Sequence, residues 1–137
     1  MDIHVTSSVS EKDMEEIYKE LMKYNLSKRE PSENVPIGIF AEDDNGVKLA
    51  GLIGETFGNW LCIKYLWVSE ELRGKGIGSK ILAKAEEEAI RRKCRYAFVD
   101  TFSFQAPGFY IKHGYKEVFV LEEYPYTGSR YYFTKVL

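Results

Sequence analysis

Residues 60 to 102 constrain the fold most. The run WLCIKYLWV at 60 to 68 is almost wholly apolar, SEELRGKGIGS follows it at 69 to 79, and a long amphipathic segment then leads into YAFVDTF at 96 to 102. A short run apolar on both faces reads as a strand covered on both sides and central in its sheet. After it, Ile77, Ile81, Leu82, Ala85, Ala89 and Ile90 recur at helical spacing, with acids mid-segment and bases at the end that suit the helix dipole. Strand, helix, strand in this order requires a right-handed crossover between parallel strands.

The glycines Gly74, Gly76 and Gly78 stand at the strand-to-helix turn among Arg73, Lys75 and Lys80. A helix start has unpaired N–H groups and a partial positive charge, and glycines let an anion approach the backbone. The spacing therefore fits a phosphate-binding concavity, and it also fits a turn that only connects two elements. Two phosphate motifs are excluded. Lys80 lies two residues beyond the last glycine with no hydroxyl residue after it, and G-x-G-x-G is not G-x-G-x-x-G.

The rest of the chain reads as further α/β structure. Residues 2 to 6 alternate like a short first strand, and Ser8 or Ser10 is placed to cap a helix over 11 to 26 carried by Met14, Ile17, Tyr18, Leu21 and Met22. The proline-bearing stretch 27 to 36 ends that helix and forms a surface loop. PIGIFAE and VKLAGLIGE flank DDNG, a hairpin signature, with a second turn at Phe57-Gly58-Asn59. APGFYIKH forms a short helix with Pro107 in its first turn and Gly114 as its stop. Two strands follow at about 115 to 121 and 130 to 136. The expected fold is mixed α/β in a single domain over 1 to 137, with a six- to seven-stranded central mixed sheet and three helices.

A chain of 137 residues has room for one ordinary domain and one site. The net charge of −2 gives no electrostatic footprint for nucleic acid, no apolar run approaches a membrane span, and the first residues lack a signal-peptide pattern, so the expected address is the cytoplasm. Cys62 and Cys94 have no metal-site or disulfide spacing with each other or with His4 and His113, so no metal is expected. Trp60 and Trp67 read as core, and the tyrosine-rich final strand reads as an edge through which a homodimer could pair.

LWVSEELRGKGIGSKIL resembles the coenzyme A motif of the GNAT superfamily of N-acyltransferases, Q/R-x-x-G-x-G/A, with Arg73, Gly76 and Gly78 at the signature positions. FYIKHGY at 109 to 115 matches a second family element, and the order of elements agrees over nearly the whole chain. The resemblance implies a sheet whose two central strands splay apart to admit acetyl-CoA, with no metal. It implies that the backbone of Arg73, Gly74, Lys75, Gly76, Ile77, Gly78 and Ser79 holds the pyrophosphate. It further implies that the strand around Leu66, Trp67 and Val68 pairs with the pantetheine arm and polarises the thioester carbonyl, and that Tyr110 is the general acid. The chain departs from the family at Ser103, where many members carry an asparagine that contacts the coenzyme arm; Gln105 is a substitute. Glu55 is the candidate base, and a solvated acid before a turn fits it equally.

The expected activity is transfer of an acetyl group from acetyl-CoA to a primary amine of a small molecule. The alternatives are a non-catalytic acyl-CoA binder or sensor, and an acetyltransferase for a protein amine.

Overall fold

The computed structural model describes residues 1 to 137 and divides into two units, Met1–Ser32 and Glu33–Leu137. The first unit is one helix, α1 (Glu11–Lys28), preceded by extended chain. Its start is fixed by a capping box. Ser10 Oγ accepts from the Asp13 N–H at 3.0 Å, and an Asp13 carboxylate oxygen accepts from the Ser10 N–H at 3.1 Å. The strand expected over residues 2 to 6 is absent, because a period-two pattern needs a neighbouring strand to satisfy its backbone and this segment has none.

The second unit holds every residue expected in the site. Its six strands are β1 (Asn34–Glu42), β2 (Lys48–Phe57), β3 (Trp60–Val68), β4 (Tyr96–Phe102), β5 (Lys116–Glu122) and β6 (Ser129–Val136). They form one mixed sheet in the order β1-β2-β3-β4-β6-β5. β1, β2 and β3 are joined by the two expected tight turns, and Gly46 takes the positive φ, +78°, that the first of them demands. The crossover through α2 (Ile77–Arg91) makes β3 and β4 parallel.

α2 and α3 (Pro107–Lys112) pack on one face of this sheet. Ile81, Leu82, Ala85 and Ala89 of α2 are buried against Ala50, Leu52, Leu61, Ile63, Ala97 and Val99, and Phe133 and Tyr110 complete the cluster. Burying a Leu or Phe side chain contributes about 2 kcal/mol, so this interior accounts for much of the fold's stability. Polar ties hold the second half of α2. Arg92, just past it, donates to the Val35 and Pro36 carbonyls and to Thr56 Oγ1 at 3.1 to 3.2 Å. Glu86 accepts from the Tyr115 hydroxyl at 2.7 Å and pairs with Lys135 at 2.9 Å.

Several expectations need correction. β6 is not an edge: it lies between β4 and β5, so the homodimer expected through it has no free strand there, and the edges are β1 and β5. The sheet order depends on where the last two strands insert, which no local pattern encodes. Ile90 is 55% exposed rather than part of the buried face, because α2 is finishing its last turn there. Trp67 is 52% exposed and Trp60 36%, so neither is core, and β3 is not covered on both faces along its length.

Candidate active site

β3 and β4 pair only from Trp60–Tyr96 to Ile63–Val99. Both strands continue beyond that point, β3 to Val68 and β4 to Phe102, without pairing. The cause lies on the other side of β3. Its register with β2 shifts between Ile53, opposite Tyr65, and Gly54, opposite Ile63, which leaves Lys64 as an unpaired bulge residue. A bulge bends the strand that carries it, and here it turns the second half of β3 away from β4. From Lys64 onward β3 therefore has one backbone edge paired to β2 and the other open.

The opening widens into a cleft of about 910 Å³, within the range of small-molecule sites. Its walls are Lys64 to Val68 of β3, the glycine loop, Val99 to Thr101 of β4, and Phe104 to Ala106 with Phe109 and Tyr110. At the loop a single 3-10 turn, Glu70–Leu72, follows β3. The Arg73 side chain folds back, its Nε donating to the Val68 carbonyl at 3.1 Å, so this arginine pins the loop to the strand end. Gly74 and Gly76 have φ of +76° and +77°, which a residue with a Cβ adopts only under strain. Gly76 is also the N-cap of α2 and offers no side chain to its first N–H groups. Those groups, Ile77, Gly78 and Ser79 among them, have no intrahelical acceptors and a partial positive charge behind them. A Cβ at Gly74 or Gly76 would meet no atom within 4 Å, so the concavity in front of the loop is open. These are the properties a pyrophosphate needs.

Ser79 is tied down from α3. His113, which ends that helix, has Nδ1 2.8 Å from the Phe109 carbonyl and Nε2 2.8 Å from Ser79 Oγ. A carbonyl only accepts, so Nδ1 carries the proton, and Nε2 is paired with the Ser79 hydroxyl. The coenzyme-type loop and the helix carrying Tyr110 are thereby linked by one imidazole, a bridge that residues 34 positions apart gave no sign of.

Tyr110 lies on α3 with 7% exposure, edge-on to Phe109 at 5.3 Å and to Tyr115 at 5.6 Å. The residue lines the cleft, and its hydroxyl has no hydrogen-bond partner in the protein. Burial, with the Asp100 charge second, pushes the phenol up to about 12. It is therefore a proton donor throughout the neutral range.

The other expected residues are more scattered. Leu66, Trp67 and Val68 line the cleft on the open edge of β3. Ser103 is not among the lining residues: its hydroxyl accepts from the Ser129 N–H at 3.1 Å and closes the end of the β4–β6 pairing. Gln105 does line the cleft, with Oε1 accepting from the Phe102 N–H at 2.7 Å and from Thr101 Oγ1 at 3.0 Å, which leaves its amide NH₂ uncommitted. Glu55 lies opposite Pro36 and Cys62 in the sheet, 3.6 Å from Lys64 Nζ, and is not brought to the cleft wall. Burial raises the Cys62 thiol, helped by Glu55, so it stays protonated and is a poor nucleophile at neutral pH. Among the groups that sequence reasoning missed is Asp100, at the floor of the splay and paired with Arg130.

The acetyltransferase (GNAT) domain family matches residues 36–117. The chain is 35% identical to acetyltransferase Atu2258 of Agrobacterium fabrum, across 83% of this chain and 84% of that protein. It is 38% identical to the blasticidin-S acetyltransferase of Streptomyces morookaense across 63% of this chain and 64% of that one. A crystal structure of an acetyltransferase from Bacillus cereus superposes with a TM-score of 0.85 at 34% identity, covering 98% of both chains. With its splayed six-stranded sheet, its glycine loop at the start of α2 and these relatives, the chain belongs to the GNAT family of acetyltransferases.

Proposed function

We propose that this acetyltransferase moves the acetyl group of acetyl-CoA directly onto a primary amine of a small molecule, with both substrates bound at once. The observation that carries the reading is the unpaired edge of β3 from Lys64 to Val68, ending at a left-handed glycine loop at a helix start. The loop suits the pyrophosphate, and the strand edge suits the amides of the pantetheine arm, which pair with backbone as another strand would. An open N–H on the Leu66 to Val68 stretch is then available to the thioester carbonyl oxygen, where the developing negative charge needs a fixed donor. The Gln105 amide takes the place of the asparagine expected at Ser103.

The chemistry balances with Tyr110 as the only proton relay. The amine nitrogen attacks the acetyl carbonyl, a C–N bond forms and the C–S bond breaks. The departing thiolate takes the phenolic proton, and the proton shed by the new amide nitrogen returns to the phenolate through water. The protonated state of Cys62 favours this route over transfer through an acetylated cysteine. Glu55, held against Lys64, is better placed to shape the bulge than to remove that proton. A small-molecule acceptor is favoured by the relative from Streptomyces morookaense, named for the antibiotic blasticidin S.

The test is thiol release from acetyl-CoA with a panel of blasticidin S, a streptothricin, spermidine, putrescine and amino acid amides. At least one should release thiol well above the amine-free rate and yield its N-acetyl product. Silence across the panel, together with acetylation of a peptide amine, would move the acceptor to proteins; stabilisation by acetyl-CoA with no turnover on either would leave a binding protein.

A further inference from the structure

Asp100 is the first residue of β4 beyond its last pair with β3. Along β4 the side chains of Ala97, Val99 and Thr101 are buried on the α2 side, so Asp100 projects from the other face, where the splay opens. It borders the cleft beside Thr101 and Tyr110. Its charge is the second cause, after burial, of the raised Tyr110 phenol.

The carboxylate is held on one side only. Oδ2 accepts from Arg130 Nε at 2.7 Å, and Arg130 Nη2 lies 2.7 Å from the same oxygen as an ion pair. The guanidinium lies 5.5 Å from the Phe102 ring, 5.5 Å from Tyr124 and 5.3 Å from Tyr132, and its Nη1 donates to the Tyr124 hydroxyl at 3.2 Å. Three rings and two anchoring bonds leave this arginine little freedom, and through it Asp100 has little. Oδ1 has no partner within the protein. A restrained carboxylate with one oxygen free, at the floor of the splay and lining the same cleft as Tyr110, is suited to receive an N–H group.

We propose that Asp100 Oδ1 accepts a hydrogen bond from the acceptor's amino group and orients its nitrogen for attack, with Arg130 as the positioning residue that holds the carboxylate. This rests on the acetyltransferase reading and narrows its acceptor to a compound that presents an unhindered amino group to an anionic site. No covalent step is added, since Asp100 binds the amine and the proton balance above is unchanged.

The experiment measures initial rates at saturating acetyl-CoA with the fastest amine of the panel, below the lowest melting temperature of the variants. Asp100→Asn should raise the KM for the amine roughly 10- to 100-fold, the loss expected for one charge-assisted hydrogen bond, and leave the KM for acetyl-CoA unchanged. Asp100→Glu should recover part of the loss. Arg130→Gln should raise the amine KM by less than Asp100→Asn does, because the carboxylate stays but is no longer held, and should leave the KM for acetyl-CoA unchanged. If the pair were only a brace between β4 and β6, both variants would lower stability and kcat together, and the KM for acetyl-CoA would move with that for the amine. An amine KM unmoved in Asp100→Asn, or moved no more than the KM for acetyl-CoA, overturns the proposal; if Asp100→Asn is insoluble, the same comparison in Arg130→Gln decides. A wild-type protein that acetylates no amine sinks the acetyltransferase reading itself, a result distinct from an active enzyme indifferent to residue 100.

Discussion

Tyr110→Phe is expected to lower kcat for acetyl transfer by roughly 100-fold while changing the affinity for CoA by no more than about twofold. The substitution removes one oxygen and keeps the ring, so the edge-on contacts with Phe109 and Tyr115 and the packing on Phe133 survive. What is lost is the proton for the departing thiolate, which water then supplies less effectively. The pH dependence gives an independent sign. An ordinary tyrosine ionises near ~10, whereas this phenol is pushed up to about 12 by burial and by Asp100. The Tyr110 contribution should therefore persist above pH 10 and fade only toward pH 12. Stability follows the same window: it is full below pH 10, then falls as the unfolded chain ionises and the folded phenol resists, until pH passes 12. Tyr110→Phe should flatten that alkaline fall. A variant with unchanged kcat would make Tyr110 one more packing aromatic.

Gly54→Ala should have the largest effect on the fold. Gly54 stands at the register shift between β2 and β3, and a Cβ there would overlap the Cys62 carbonyl oxygen and lie 3.2 Å from both the Cys62 carbonyl carbon and Ile63 Cα. Each of these is backbone in the strand that pairs on its far side with β4, so no rotamer change relieves the overlap. β3 would have to move as a unit, breaking either its ladder with β2 or the Ile63–Val99 pair that closes the splay. We expect a loss of more than about 3 kcal/mol, a melting temperature lower by on the order of 10 °C or more, and no measurable acetyl-CoA binding. Gly46→Ala is the control. It sits at positive φ in an exposed turn with nothing near its Cβ, and should cost only about 1 kcal/mol. A Gly54→Ala protein that melts near the wild-type temperature would show that the bulge tolerates a wider strand separation than its backbone contacts imply.

Most of the element order was legible because the signals are local. The capping box at Ser10, the glycine turn at Gly46, the helical spacing from Ile77 to Ala89 and the glycine loop itself each depend on residues within a few positions of one another. The open half of β3 was reached only through the family resemblance, and its physical cause, the bulge at Lys64, is a matter of register between two strands that nothing in WLCIKYLWV reveals. The insertion of β6 between β4 and β5 was illegible for the same reason, and with it fell the edge-strand dimer. Trp67 was misread because an apolar run has one meaning where both faces are covered and another where one face borders a cleft. At the site, the glycine loop stood out by its spacing and Tyr110 only through the family resemblance, and both line the cleft. Asp100 with Arg130 and His113 with Ser79 were not, since each pair joins positions 30 or more apart through sheet order and helix packing. Ser103 and Gln105 lie two residues apart, and only the turn after β4 determines which of them reaches the cleft.

The central claim, direct transfer between two substrates held together in the splay, is tested most directly by initial rates with acetyl-CoA and the amine varied against each other. The proposed mechanism predicts double-reciprocal lines that intersect, because in it the amine meets the thioester while the coenzyme is bound. Parallel lines, with an acetyl group found on the protein by mass spectrometry in the absence of amine, would contradict it.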